Sequence, residues 1–347
     1  MTTLFLDLVQ ILIGTLGGWL FSALGVPGGW LSGSAVAVIL WGLTRFARPM
    51  PNALADAAML VSGATVGASL TPEAIAAMSR YPLSLFILVV GVVVITFVST
   101  LWLTAVSGWR KDDAVLASVP GALSTVMAVA IDRGGAVAQI AIVQNLRLFI
   151  LIALLPSVVV LTGSGTVDGV MIGQGREILT PAAMATIMLL AVLVGSIFQR
   201  FGVAAPILLG ATLVSTLGHA TGVVRGVIPP VITTGGLILI GIFIANRFRG
   251  LDYAVLPRTL LAGLGSFTVG LFVSLVFAAA AAWSAEVGFA DAMIAFAPGG
   301  LEAMTVLALL LGLDPLYVGV HHFVRFIGIG LVLPFLMTWL QKRERPR

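Results

Sequence analysis

Cysteine is absent from the chain, which excludes disulfides, thiolate metal sites and thiol catalysis. Charge is scarce. Asp, Glu, Lys and Arg make up 9% of the 347 residues, against about 25% in a soluble globular domain. Histidine occurs only at His219, His321 and His322. A copper- or iron-dependent oxygenase needs a cluster of His or carboxylate ligands. Adjacent histidines on a helix point about 100° apart, so His321 and His322 do not share one metal. No polar stretch is long enough for a DNA-recognition domain, so nucleic acid is not an expected partner. No cofactor, metal or catalytic residue is expected. The opening stretch, MTTLFLDLVQILIGTLGGW, lacks a basic n-region and a small-residue cleavage site, and reads as a retained first span.

Hydrophobic residues make up 59% of the sequence, with a mean hydropathy of +1.14. This predicts an all-α polytopic membrane protein whose main partner is the lipid bilayer. Twelve apolar segments are expected, at 4–24, 30–44, 53–70, 82–106, 114–131, 137–161, 181–198, 203–218, 228–246, 256–282, 290–311 and 315–340. A net charge of +4 with a pI near 10.1 places Lys and Arg at span ends, as in cytoplasmic loops. The one long polar connection, 162–180, lies at mid-chain.

A repeat surrounds that connection. SVPGALSTVMAVAIDRGGAVAQIAIVQNLRLFILIALLP, ending at Pro156, aligns without gaps on FAPGGLEAMTVLALLLGLDPLYVGVHHFVRFIGIGLVLP, ending at Pro334, at an offset of 178. Pro120 pairs with Pro298, Gly121 with Gly299, Gly134 with Gly312 and Arg147 with Arg325. The expected organisation is a first membrane repeat at 1–161, a linker at 162–180, a second repeat at 181–340 and a basic tail at 341–347. Loop charge tests the orientation of the halves. Leaving Arg147 and Arg325 aside, sixteen of the 18 basic residues remain. They divide ten to six if all six segments of each half cross. They divide thirteen to three if each Pro-Gly segment turns back, with Arg80, Arg176 and Arg225 on the poorer side. The positive-inside rule then favours inverted repeats of five crossings each plus a broken or re-entrant Pro-Gly helix. Both termini are expected on the cytoplasmic side of a bacterial inner membrane.

Each Pro-Gly pair interrupts an otherwise helical run, because proline removes a backbone donor and glycine adds freedom. Unwound backbone at membrane depth requires a protein or cavity partner. Breaks at matching places in two halves point to a transporter's binding site, with the restarting half-helix turned N-terminus first toward it. The candidate substrate-binding residues there are Pro120, Gly121, Ser124 and Thr125 in the first half and Pro298, Gly299 and Gly300 in the second. Glu302 is the candidate for proton or sodium coupling. Arg147 and Arg325 each lie ten residues into a segment, roughly 15 Å deep at 1.5 Å per residue. A charge at that depth is costly. Gln144 and His322 lie three residues before them on the same helical face. Two guanidiniums favour a small organic anion, since Arg grips carboxylates bidentately. The structural alternative is that they cap half-helix carbonyls or pair with Asp132 or Glu302. His321 reads as a packing residue. Gly14 with Gly18, and Gly63 with Gly67, carry the spacing of close helix packing.

GVPGGWLSGSAVA from Gly25, APILLGATL from Ala205, APGGLEAM from Ala297 and the intramembrane Arg147 and Arg325 together resemble the AbrB-type membrane proteins, over essentially the whole chain. Members carry the labels ammonia monooxygenase and gene-expression regulator. Where the family's short second segment ends on proline, this chain has Ser34 and Ala211; where its second-half signature carries glutamate, this chain has Ala303, one place after Glu302. The half with the broken helix also looks like those of bile-acid and cation/proton antiporter-like transporters, at the level of fold. The reading expected from the residues is a secondary active transporter for a small carboxylate or sulfonate, with H+ or Na+ coupling. The alternatives are a membrane sensor acting through a partner and the monooxygenase. The pattern is compatible with a homo-oligomer.

Overall fold

The computed structural model describes residues 3–42, 48–69, 79, 81–121, 123–162, 177–203, 205–248 and 256–344. Most of the mid-chain linker and the end of the basic tail lie outside them, as does the side chain of Ser124. The described residues form fourteen α-helices and no strand. The first seven are α1 (Thr3–Ala23), α2 (Gly29–Gly42), α3 (Asn52–Ser69), α4 (Tyr81–Leu101), α5 (Lys111–Ser118), α6 (Leu123–Asp132) and α7 (Val137–Leu161). The second seven are α8 (Pro181–Arg200), α9 (Pro206–Ala220), α10 (Pro230–Ala245), α11 (Leu256–Ala285), α12 (Phe289–Phe296), α13 (Leu301–Leu310) and α14 (Pro315–Glu344). Six of the seven second-half helices start 177 or 178 residues after their first-half twins; the duplication seen in the sequence is a duplication of helices.

The expected segments 114–131 and 290–311 are each two helices, because the Pro-Gly pair divides them. Three helices per half, within Leu4–Ala23, Tyr81–Val106, Val137–Leu161, Pro181–Arg200, Pro257–Ala285 and Pro315–Met337, are long and apolar enough to cross a bilayer. The chain is a multi-pass membrane protein. Helix starts follow local chemistry. Pro181, Pro206 and Pro230 occupy first-turn positions, where a missing N–H costs nothing. Asp112 and Asp113 open α5, and Asp291 opens α12, on the positive ends of those helices.

The helices gather into two compact units, and neither unit is a half of the sequence. The first holds residues 1–78, 152–249 and 305–316; the second holds 79–151, 250–304 and 317–347. In the first unit α3 packs on α9 through its glycines. A Cβ at Gly63 would stand 2.2 Å from Leu208 O, and one at Gly67 2.5 Å from Thr212 O. These are close-packing glycines, as their spacing predicts. The first unit also holds His219, whose ring nitrogens lie 2.7 and 2.9 Å from the carbonyls of Ser215 and Gly226. The second unit contains both helix breaks. Its core joins Leu103, Leu116, Val126, Ile140, Ile329 and neighbouring buried side chains around the first break.

Candidate functional site

Both breaks begin with a carbonyl that has lost its donor. In a continuous helix Leu116 O would accept from residue 120 and Ile294 O from residue 298; both are proline and have no N–H. In each half a side chain from the following long helix supplies the missing donor. Gln144 Nε2, on α7, donates to Leu116 O at 2.9 Å and to Val119 O at 3.0 Å. His322 Nε2, on α14, donates to Ile294 O at 3.0 Å. The two residues occupy the same repeat position.

The arginines complete the arrangement. Arg147 donates from Nη1 to Ser118 O at 3.5 Å and from Nη2 to Val119 O at 3.2 Å, with a further bond from Nη2 to Gln144 Oε1. Arg325 donates from Nη1 to Ala297 O and from Nη2 to Gly299 O, each at 2.7 Å, and from Nη2 to His322 Nδ1. Since His322 Nδ1 accepts while Nε2 donates, this geometry holds the imidazole in its neutral form. Each half thus carries the same relay, in which an arginine donates to a polar residue that donates in turn to the carbonyl orphaned by proline. α5 and α12 point the negative ends of their helix dipoles at the breaks, and the guanidiniums bind the carbonyls there, Ser118 and Val119 for Arg147 and Ala297 and Gly299 for Arg325.

The two breaks lie beside one another. Gly121 has φ +90°, a conformation that a side chain would strain. A Cβ there would lie 3.5 Å from Arg325 Nε and 4.0 Å from Gly299 O. Arg325 therefore reaches its own half's break and borders the other's. Both arginines are buried, at 7% exposure for Arg147 and 5% for Arg325. Among the described residues neither has a carboxylate partner: each donates only to backbone carbonyls and to Gln144 or His322. The pairing with Asp132 or Glu302 considered from the sequence does not occur.

The remaining sequence-derived candidates fall around this crossing. Pro120, Pro298 and Gly299 are buried; Gly300, Thr125 and Glu302 are partly exposed, Gly300 in the second break and the other two in the first turns of α6 and α13. Two polar atoms at the first break have no hydrogen-bond partner, Ser118 Oγ and Arg147 Nε. Against Arg147 lies a cavity of about 10 Å³ bordered by Ser99, Ser266 and Pro298. Ser99 and Ser266 sit in apolar helices with no motif to mark them; their shared place beside Arg147 depends on α4 packing on α11. His321 is a packing residue, as expected, but a polar one. Its Nδ1 is 2.7 Å from Tyr317 O and its Nε2 is 2.8 Å from Ser84 Oγ.

The model of one protein family, described as "Transition state regulatory protein AbrB", matches residues 30–341. Among similar proteins, the "Uncharacterized protein YhjN" of Bacillus subtilis (strain 168) is 24% identical over 361 residues, covering 94% of this chain and 91% of that protein. The "Putative regulator AbrB" of Escherichia coli (strain K12) is 24% identical over 350 residues, covering 93% of this chain and 94% of its own.

Proposed function

Because the chain belongs to the AbrB family and is a multi-pass helical membrane protein, we propose that it is a secondary active transporter for a small organic anion, a carboxylate or sulfonate. The observation that carries this reading is the pair of buried guanidiniums with no carboxylate among the described residues to balance them. Helix-end carbonyls offset part of that charge, and an anion would offset the rest. Buried charges are tolerated when paired, and matched helix breaks are where transporters place their sites. The first half offers the anion more. Ser118 Oγ and Arg147 Nε stand unpartnered there, while the twin of Ser118 is Phe296, which has no polar group. The arginines in this reading hold the breaks open and supply the positive field, while α6 and α13 turn the positive ends of their dipoles to the same place.

Alternating access belongs to this reading: the cavity of about 10 Å³ beside Arg147 is too small for an organic anion, which would reach the arginine through another conformation. The repeats would be inverted, with five crossings each and both termini cytoplasmic, as the loop charges favour. Glu302, in the first turn of α13, is the proposed site of H+ or Na+ coupling. A second reading, a membrane sensor acting through a partner, is favoured by the name of the Escherichia coli relative, "Putative regulator AbrB". A thermal-shift screen of purified protein against small carboxylates and sulfonates, at two pH values with and without sodium, tests the site, because a ligand stabilises by mass action. A stabilising anion whose effect vanishes when Pro120-Gly121 and Pro298-Gly299 are replaced by Ala-Ala supports it; an unchanged effect overturns it. Uptake of that anion into proteoliposomes then separates transport from sensing.

A further inference from the structure

The second unit contains a cavity of about 900 Å³ that the breaks do not use. It opens where α4 gives way to a π-helical turn at Trp102–Val106 and where α11 begins. Trp102, Trp109, Arg110, Gln139, Arg258 and Ala262 are among its lining residues. The repeat shows what this space looks like when filled. At the twin positions Gln139 is replaced by Tyr317, Thr259 by Tyr81 and Ala262 by Ser84; beside them His321 takes the place of Val143, a buried core residue outside the lining. Those four side chains form a closed cluster. Ser84 Oγ is 2.6 Å from Tyr317 OH and 2.8 Å from His321 Nε2, and the Tyr81 and Tyr317 rings pack edge to face at 5.1 Å. Each is at most 2% exposed. The same helical framework is thus plugged at one end and open at the other, and small side chains keep it open.

The chemistry of the open end is that of a membrane surface. Trp102 lies at the end of the span Tyr81–Val106, and Arg258 lies at the start of the span Pro257–Ala285. Amphipathic Trp rings and exposed arginines at span ends belong to the head-group level. Both arginines are exposed, and with the inverted repeats proposed above both fall on the cytoplasmic side, richer in basic residues. Asp113, the one carboxylate among the lining residues, accepts a hydrogen bond from Ala136 N at 3.0 Å and so fastens the loop between α6 and α7. The volume lies within the range of about 300–1,000 Å³ usual for small-molecule sites. Basic pockets between membrane helices on the cytoplasmic side suit phosphate-bearing lipids.

The geometry points to a binding site for the phosphate-bearing head group of an anionic phospholipid, with the phosphate between Arg110 and Arg258 and the glycerol against Trp102 and Trp109. The site is independent of the transport reading. Full-length protein in detergent would be titrated with short-chain phosphatidylglycerol, short-chain phosphatidylcholine, sn-glycerol 3-phosphate and inorganic phosphate, and its melting followed by tryptophan fluorescence. Phosphatidylglycerol should raise the midpoint by several degrees, and the other three should raise it by less than half as much. Arg110→Ala with Arg258→Ala should weaken the phosphatidylglycerol effect at least tenfold in concentration. Thr259→Tyr with Gln139→Tyr, which installs the twin's plug and keeps both charges, should abolish it. Equal stabilisation by phosphatidylcholine, or an undiminished response in the double-alanine variant, overturns the proposal. So does a full response in a folded plugged variant. Equal stabilisation by glycerol phosphate would assign the cavity to a soluble phosphate compound and overturn the lipid assignment.

Discussion

His322 and Gln144 do the same work with different chemistry, so exchanging one for the other isolates the relay. His322→Gln retains a donor for Ile294 O and an acceptor for Arg325 Nη2, as Gln144 does for Leu116 O and Arg147. His322→Phe retains neither. Ile294 O, whose helical donor would have been Pro298, is then left unpaired, and Arg325 Nη2 keeps only Gly299 O. An unsatisfied buried polar group costs about 1–3 kcal/mol, so the phenylalanine variant should lose about 2–4 kcal/mol and the glutamine variant under about 1 kcal/mol. At roughly 2–4 °C per kcal/mol for chains of this order of size, midpoints should fall by roughly 4–16 °C for His322→Phe and by under about 4 °C for His322→Gln. Seven tryptophans report unfolding by intrinsic fluorescence without a label. Equal losses in the two variants would refute the relay, because packing volume rather than hydrogen bonding would then decide stability.

Arg325→Gln leaves Ala297 O and Gly299 O short of donors, and should lower the unliganded midpoint by an amount corresponding to about 3–5 kcal/mol. Arg325→Lys should lower it less, since charge is kept and the bidentate geometry is lost. Arg147→Gln should be milder than Arg325→Gln, because the bonds of Arg147 to backbone, at 3.2 and 3.5 Å, are longer; a larger loss at Arg147 would contradict this ranking. Single cysteines at Ser164 and Gln341 of the cysteine-free chain should react with an impermeant thiol reagent from opposite sides of the membrane. Labelling from the same side would rule out the inverted arrangement.

The fold class and the breaks were legible because their causes are local. Proline at 120 and 298 has no N–H wherever it sits, and the offset of 178 shows that the interruption occurs twice. The polar pairs Gln144 with Arg147 and His322 with Arg325 were legible from their three-residue spacing, although what they bind was not. Counting four residues back from each proline would have identified Leu116 and Ile294 as carbonyls in need of a donor. The regrouping of both halves into two interleaved units was hidden, because it depends on which apolar faces meet, and uniformly apolar helices carry no stripe to show it. The open cavity and its aromatic twin were hidden for a related reason. Tyr81 and Tyr317 lie far apart in sequence and read as ordinary span residues until α4 and α14 are packed together.

The account rests on a positive field at the crossing of the two breaks. Thr125, partly exposed in the first turn of α6, offers a position from which to measure it. With Thr125→Cys as the only thiol in the chain, reaction rates with a negatively charged and a positively charged methanethiosulfonate reagent would each be divided by the rate with a small-molecule thiol in the same buffer. The anionic reagent should be favoured by at least tenfold after this correction, and the preference should shrink in Arg147→Gln. A corrected preference for the cationic reagent, or none that depends on Arg147, would contradict an anion site at the crossing.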